Sequence, residues 1–387
     1  MRVCFVCSEY PPGPHGGIGT MVQLLARALV AAGHEARVVG VHPASYPAPD
    51  VEVDRGVRIV RLRESGGRLG WIAGRRQLYR MVAGWSRSGE IDVVEVPDWE
   101  GWAAGWPRLT VPVVVRANGS LTYFAAELNT SVSRRARFIE RRSLRRADGW
   151  CSVSRYTGER TRSVFGLPSG PSAVLFNALD PAALPAASAK RDAARVVFTG
   201  TLTAKKGVVE LIDAWPSVVA QVPNAELHLY GKDARMEREP SMRAYLETRL
   251  PAAARASVHF HGHVTRDVIH AALSAARVAV FPSYSEACAL APIEALAAGC
   301  AVIHTRLSSG PEVIRDGIDG LLVDPRVPAE IGDALRRLLC DDALVRRLSA
   351  QGPETVRERF SLERTLPGNI AFYDACIASF RRRRAAQ

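Results

Sequence analysis

The sequence predicts an α/β protein with two doubly wound domains that face a cleft. Apolar runs of strand length alternate with segments that carry apolar residues at helical spacing, as expected for parallel sheets covered by helices. This series stops at an Ala/Pro-rich segment, residues 178–194, and then starts again. The length of 387 residues also suits two domains better than one.

The first domain is predicted over residues 1–177. Residues 2–7 are a continuous apolar run that predicts a first buried strand, and the helix after it ends at Gly33. An Arg-rich helix is predicted near residues 132–147. The other strands of this domain are predicted at residues 36–41, 57–62, 91–96, 111–115, 150–154 and 172–176.

The second domain is predicted over residues 195–361, after a linker at 178–194. A last helix, about 362–380, could belong to either domain, and residues 362–387 with their Arg-rich end could cross back to the first. The strands of the second domain are predicted at residues 195–199, 226–230, 257–260, 278–282 and 301–304. Its helices are predicted from residue 207 and at residues 240–250, 265–275 and 291–298.

Composition is that of a globular protein, with 47% hydrophobic and 23% charged residues, which argues against a disordered or fibrous chain. No apolar run has the length needed to cross a bilayer. The first residues predict a strand and not a signal peptide, because a Pro/Gly turn stands where a cleavage region would be. We therefore predict a cytoplasmic protein.

The net charge of +12 is concentrated in two Arg-rich segments, residues 134–146 and 381–384. The first could be a solvated helix face, or it could attract an anionic membrane surface or a phosphorylated acceptor. Peripheral contact with the inner face of a membrane through Arg134–Arg146 therefore stays open. A nucleic-acid partner is not expected, because no aromatic-interleaved RNA motif or helix-turn-helix signature accompanies the arginines.

A glycine-rich loop, residues 11–20, joins the first strand to the first helix. At Gly16 and Gly17 the backbone can approach a ligand closely, and the start of the helix offers N–H groups to an anion. Because glycine-rich turns are common, phosphate contact and plain turn chemistry both remain open for this loop alone.

A second loop, residues 200–207, stands at the corresponding strand-to-helix junction of the second domain. Its Lys206 is a point charge suited to a diphosphate. The loop lacks the Walker A order, so NTP hydrolysis is not indicated, and solvated loop lysines are the alternative.

Residues 282–299 carry the most informative pattern. Glu286 is predicted in the loop before a helix and Glu294 in the first turn of that helix. Carboxylates there can accept hydrogen bonds from sugar hydroxyls, and the helix N-terminus favours a diphosphate. An ordinary surface helix with glutamates is the alternative. The N–H groups that would hold the diphosphate belong to Cys288, Ala289 and Leu290.

With these motifs the chain resembles the retaining nucleotide-sugar glycosyltransferases of the GT-B fold, family four. The resemblance covers nearly the whole length and implies two Rossmann-like domains, with the donor bound by the second and the acceptor by the first. It rests on the GGIG loop at 16–19, Asn177–Asp180, the G-x-L-x-x-x-K-G loop at 200–207, the Glu-x₇-Glu block at 286–294, and segments 310–314, 316–317 and 320–323.

The resemblance also implies roles for single residues. Gly16 and Gly17 would bind the donor phosphate and Lys206 would neutralise the leaving diphosphate. Glu286 would hold the donor sugar and Glu294 the ribose hydroxyls. The base would be contacted by the strand end at residues 262–264, of which Val264 is the donor-binding residue, and Cys288, Ala289 and Leu290 would contact the diphosphate. The implied reaction transfers a hexosyl unit with retention, without a metal or cofactor. A UDP-sugar is the favoured donor, with GDP-mannose second, and the acceptor is an unidentified small molecule, glycan or lipid-linked sugar.

Three departures from the family pattern bear on the donor. Thr201 stands where the family usually has Arg, and Ala287–Ala289 replaces Gly-Phe-Gly. Asn118 stands in place of a histidine at a strand end, where it can donate and accept hydrogen bonds but cannot titrate. We expect Asn118 to contact the donor sugar as the histidine would, and we expect the chemistry to persist.

Acceptor contacts are expected from the first domain, through His15, Asp98 and Trp99. An aromatic-plus-acid loop suits a sugar ring, although the nearby Trp102 and Trp106 could equally be core. No metal site is predicted. His259, His261 and His263 alternate along a strand end, but no carboxylate or cysteine accompanies them in that segment.

Two other functions stay open beside glycosyl transfer. A GT-B sugar-nucleotide epimerase would keep the fold but change the reaction. A nucleic-acid or anionic-surface binder would account for the arginines, but it would leave Glu286, Glu294 and the loop at 200–207 unexplained.

Overall fold

The computed structural model describes residues 1–13, 15–64, 66, 70–180, 191–236 and 239–386. The chain divides into two compact units. One comprises Met1–Ala178 together with Leu362–Gln387, and the other comprises Leu179–Ser361.

The first unit is built on an eight-stranded sheet in the order β3-β4-β2-β1-β5-β6-β7-β8. All neighbours pair in parallel except β3, which pairs antiparallel with β4. The strands are β1 Arg2–Val6, β2 Glu35–His42, β3 Val51–Asp54, β4 Val57–Arg63, β5 Val93–Pro97, β6 Val113–Ala117, β7 Gly149–Ser152 and β8 Ala173–Val174. The helices between them are α1 Gly17–Ala31, α2 Gly70–Arg87, α3 Leu121–Glu127, α4 Arg134–Arg146 and α5 Arg155–Phe165.

The central strand β1 is buried on both faces, as its apolar run predicts. Phe5 and Cys7 pack into one hydrophobic cluster, whereas Cys4 and Val6 pack into the cluster on the opposite face. A parallel strand covered by helices on both sides needs such a run, because neither face meets water.

The second unit contains a six-stranded parallel sheet in the order β11-β10-β9-β12-β13-β14. Its strands are β9 Asp192–Thr199, β10 Glu226–Tyr230, β11 Val258–Gly262, β12 Ala276–Phe281, β13 Ala301–Thr305 and β14 Leu321–Val323. Its helices are α6 Val208–Val219, α7 Met242–Arg249, α8 Ala252–Arg255, α9 Arg266–Ala275, α10 Leu290–Ala297, α11 Gly310–Val313, α12 Pro328–Cys340 and α13 Asp342–Arg359.

The end of the predicted linker, residue 194, is wrong. Strand β9 begins at Asp192, which pairs with Ala276 of β12. The strand opens with Asp and Ala, which have low strand propensity, so its start could not be recognised from the sequence. Residues 181–190 of the predicted linker lie outside the described residues.

The C-terminal helix α14, Leu362–Ala385, belongs to the first unit. Phe372 and Tyr373 pack in the same hydrophobic cluster as Val3 and Phe5 of β1. This contact places the last helix of the chain against the first strand.

A buried polar network also joins α14 to the sheet of the first unit. Arg116 of β6 donates two hydrogen bonds of 2.8 Å to Glu95 of β5 and one of 2.7 Å to Asn369 of α14. The Tyr373 hydroxyl donates to Glu95 at 2.7 Å. Arg116 is 2% exposed and Glu95 is 3% exposed. Water therefore solvates neither charge well, and each charge is stabilised mainly by the other.

Five arginines of the Arg-rich helix α4 donate hydrogen bonds to backbone carbonyls of the first unit. Arg137, Arg141 and Arg145 donate to the carbonyls of residues 164, 165 and 166, at the C-terminal end of α5. Cations at that end are favourable because the last carbonyls of a helix lack partners and carry partial negative charge. Arg142 and Arg146 donate to carbonyls near Trp106. A structural role for these arginines is therefore evident without a membrane or an anionic partner.

Among the residues that the structure describes, no helix combines the length and the apolar character that crossing a membrane requires.

Candidate functional site

The loop at 200–207 and the end of β12 pack tightly together in the second unit. Gly207 has φ +69°, and a Cβ there would lie 1.9 Å from the carbonyl oxygen of Pro282, so only glycine fits. The Tyr284 N–H donates to the carbonyl of Lys205 at 2.8 Å. These backbone contacts bring the lysines of one loop to the glutamate of the other.

Lys206 and Glu286 form the ion pair at the centre of this site, with 2.6 Å between Nζ and Oε1. The backbone on both sides of the glutamate is fixed: its N–H donates to the Ser308 hydroxyl at 2.9 Å, and its carbonyl accepts from the Ser309 hydroxyl at 3.1 Å. The structure thus brings together two residues that lie 80 positions apart in the sequence.

The glutamate of this pair is held ionised although it is buried. Burial alone would raise the pKa of Glu286, but the charges of Lys206 and Lys205 outweigh it, so the pKa lies below its ordinary value. Burial in turn lowers the pKa of Lys205. The site therefore presents a fixed carboxylate beside an ammonium group. The Lys206 ammonium has three N–H donors, so it can bind an anion while it keeps one hydrogen bond to Glu286.

Glu294 lies in the second turn of α10, not in the first turn as predicted. The helix begins at Leu290, and no acidic residue occupies its first turn. Glu294 pairs with Arg266, the first residue of α9. No sequence pattern indicated this arginine, because the contact joins two helices that are separate in the chain.

The segment before α10 contains three of the residues predicted to contact the donor. Ala289 is the N-cap and makes no side-chain cap hydrogen bond, Leu290 opens the helix, and Cys288 is 5% exposed. Val264 is half-buried between β11 and α9, and Thr201 is exposed in the loop after β9. These five donor-binding assignments remain predictions.

His304 at the end of β13 was not identified from the sequence. Its Nδ1 lies 2.9 Å from the Phe281 carbonyl, whereas Nε2 has no hydrogen-bond partner among the described residues. Burial lowers the pKa of His304, and both Glu286 and Lys206 interact with it electrostatically. The only sequence signal is a lone imidazole in a strand that is otherwise apolar apart from its final threonine.

Two glycines of the glycine loop in the first unit are under different constraints. A Cβ at Gly19 would lie 1.8 Å from the carbonyl oxygen of Glu9, whereas a Cβ at Gly17 would meet nothing within 4 Å. Packing therefore requires glycine at 19, and the backbone at 17 is open. Gly16 is the N-cap of α1, without a side-chain cap bond, and its N–H donates to the Glu9 carboxylate.

Asn118 lies beside the start of α1. It lines a small cavity together with Ile18 and Met21. Its side-chain amide donates to the Arg116 carbonyl at 3.2 Å. The structure thus brings the glycine loop and Asn118 together within the first unit.

Asp98 is not available to an acceptor, which corrects its assignment. Its side chain is 0% exposed, and Oδ1 accepts the backbone N–H of Asn118 at 2.9 Å. Burial raises the pKa of Asp98 to about 7. Asp98 follows β5 directly and is hydrogen-bonded to residues 116 and 118 at the end of the neighbouring strand β6, so it positions the backbone of Asn118.

The other acceptor candidates lie nearer the surface. His15 is exposed, with Nδ1 2.8 Å from the Gly13 carbonyl, and Trp99 is half-buried. Trp102 and Trp106 are core residues at 8% and 6% exposure. Both also line a cavity of about 580 Å³ between α2 and α4, together with other aromatic and arginine side chains.

The histidines of β11 have a carboxylate neighbour, so the argument made against a metal there was wrong. The strand ends at Gly262, whose φ of +71° breaks the alternation, and His263 lies beyond it. His259 and His261 share a face with His228 and Glu226 of the neighbouring strand β10.

Comparison with protein families gives two matches that follow one another along the chain. Residues 15–183 match the model of glycosyltransferase family 4, and residues 193–341 match the model of the glycosyl transferases group 1. Together they span most of the two units, which favours glycosyl transfer over the other functions that the sequence left open.

Similar proteins of known identity support the same fold. Glycogen synthase of Mycobacterium tuberculosis is 26% identical, with 96% of this chain and 94% of that protein covered. Sucrose-phosphate synthase of Thermosynechococcus elongatus has a TM-score of 0.80 at 20% identity, over 98% and 99% of the two chains. Anabaena HepE, solved with UDP and glucose, has a TM-score of 0.75 at 14% identity, over 97% and 100%. The fold is GT-B, as predicted, and the chain belongs to the group 1, family 4 glycosyltransferases.

Proposed function

We propose that this glycosyltransferase moves a hexosyl unit from a UDP-sugar to an acceptor hydroxyl with retention of anomeric configuration and without a metal. The observation that carries the proposal is the Lys206–Glu286 pair, a buried carboxylate and an ammonium group held 2.6 Å apart where two strand-end loops meet. The UDP and glucose bound by the structural relative HepE favour a UDP-sugar over GDP-mannose.

The Lys206 ammonium acts on the leaving group. As the bond between the anomeric carbon and the diphosphate oxygen breaks, negative charge develops on the diphosphate. A fixed cation stabilises that charge more in the transition state than in the ground state. The N–H groups at residues 288–290 add hydrogen bonds to the phosphates.

The Glu286 carboxylate holds the sugar and faces the cationic carbon. The acceptor oxygen bonds to the anomeric carbon on the face that the diphosphate leaves. The acceptor proton passes to the departing phosphate oxygen, so no protein base is needed. His15 and Trp99 remain the acceptor candidates.

Glu294 accepts hydrogen bonds from the ribose hydroxyls in this proposal, so it provides a binding test. Glu294→Ala is expected to weaken UDP affinity roughly tenfold to a hundredfold, the usual effect of losing a hydrogen bond to a charged group. Glu294→Gln should lose less, because one acceptor oxygen remains. Titration calorimetry of UDP and GDP measures both effects.

The matched control is Glu247→Ala, which removes an exposed glutamate that pairs with Arg243 on the same helix. It should bind UDP like the unmodified protein. Equal affinity in the Glu294 variants and in this control would remove the ribose role. Absence of nucleotide binding by the unmodified protein would contradict the proposed donor.

A further inference from the structure

Four side chains that can bind metals or orient metal ligands lie on one face at the edge of the second sheet. His228 of β10 pairs directly with His259 of the edge strand β11. Since alternate residues of a strand share a face, Glu226 and His261 extend the same surface in opposite directions. None of these residues takes part in the proposed sugar transfer.

Three of the four side chains are close enough to hold one ion. Glu226, His228 and His259 each offer one ligand atom, and the three atoms lie within 4.8 Å of one another. His228 Nε2 is already 3.2 Å from the Glu226 carboxylate. In a tetrahedral zinc site with bonds of about 2.1 Å the ligand atoms are about 3.4 Å apart, so small side-chain rotations complete the geometry.

The fourth residue fixes the orientation of the central ligand. His228 Nδ1 lies 3.0 Å from His261 Nε2, and the ring of Tyr230 stacks on His261 at 4.2 Å. Histidine ligands of metals usually donate the second ring N–H to an acceptor, which sets the tautomer and aims the other nitrogen at the ion. In a metal-bound form, His228 would donate from Nδ1 to His261, which leaves Nε2 beside the Glu226 carboxylate for the ion.

Burial and a neighbouring arginine determine the electrostatic surroundings of the cluster. Burial lowers the pKa of His228, with contributions from Arg195 and the neighbouring histidines, and burial likewise lowers the pKa of His261. The positive charge of Arg195 opposes a cation nearby, but Arg195 is paired with Asp192 at 3.4 Å.

We propose that Glu226, His228 and His259 form a binding site for a divalent transition-metal ion of the zinc class, with His261 as the outer hydrogen-bond acceptor. Two imidazoles and a carboxylate suit Zn²⁺ and leave its fourth position to water. The ion links the edge strand β11 to β10. The site lies directly before Gly262–Val264, where the donor base is expected.

The test is calorimetric titration of Zn²⁺ into the untagged full-length chain after treatment with a chelator. A Cys340→Ser background removes the one cysteine that is exposed. We expect one Zn²⁺ per chain, and Zn²⁺ should raise the melting temperature because it binds the folded chain. His259→Ala should weaken binding at least about tenfold, and His261→Ala roughly tenfold, as outer partners of metal ligands do.

His263→Ala is the matched control, since His263 is exposed and lies past the end of the strand. It should bind Zn²⁺ like the background protein. Circular dichroism checks that the half-buried His259 can be replaced without unfolding. The proposal is overturned if the background chain binds no Zn²⁺, if His259→Ala binds equally well, or if His263→Ala loses as much affinity.

Discussion

Lys206→Ala is expected to lower kcat/KM roughly a hundredfold or more, the usual cost of removing a group that stabilises transition-state charge. The loss should appear in kcat more than in KM, because charge on the diphosphate grows as the bond breaks. Initial rates with a UDP-sugar donor measure both parameters. Lys232→Ala, which removes an exposed lysine of the same unit, should keep the normal rate.

The same substitution separates a catalytic role from a structural one. Without Lys206, the buried Glu286 loses its salt bridge and its pKa should rise. The pair stabilises the folded chain above the unfolded pKa of about 4.3, and this contribution disappears as the pH falls through the lower folded value. A hundredfold loss of rate with a near-normal melting temperature at pH 7 supports catalysis. Unchanged turnover would show that Lys206 serves only the ion pair.

Arg116→Ala is expected to lower the free energy of unfolding by about 3–5 kcal/mol, because it leaves the buried Glu95 carboxylate without its charge partner. The change also removes the hydrogen bonds from β6 to Asn369 and Tyr373 of the C-terminal helix. Thermal and urea unfolding of the full chain measure the loss.

Arg243→Ala is the control for that measurement, since it breaks the exposed pair with Glu247 and should cost less than about 1 kcal/mol. A similar small cost for Arg116→Ala would mean that the buried network contributes little and that apolar packing alone holds the C-terminal helix. Preferential release of that helix, seen by limited proteolysis of the variant, would support the network.

Much of the fold could be predicted from local patterns. Continuous apolar runs marked β1 and β12, because a strand that is buried on both faces shows no alternation of polar and apolar residues. The short β3 was missed, since its valines at 51 and 53 alternate with acids and remain exposed at the sheet edge. Edge strands of a sheet are hard to recognise from hydrophobic patterns, because much of their surface stays in water.

The site could be predicted only where one segment carried the information. The loops with Lys206 and Glu286 were recognisable by composition, but their contact depends on the close approach at Gly207. The burial of Asp98 and the join between Glu226 and His259 depend on strand order. Strand order is set by packing across the whole sheet, so the sequence around these residues does not indicate it.

Retaining transfer at the Lys206–Glu286 pair is the central claim, and the stereochemistry of the product tests it most directly. The purified chain is incubated with an α-linked UDP-sugar and an acceptor, and the anomeric configuration of the product is read by proton NMR. The departing diphosphate accepts the acceptor proton in this mechanism, so the new bond forms on the face that the diphosphate leaves. We expect an α-linked product, and a β-linked product would contradict the mechanism.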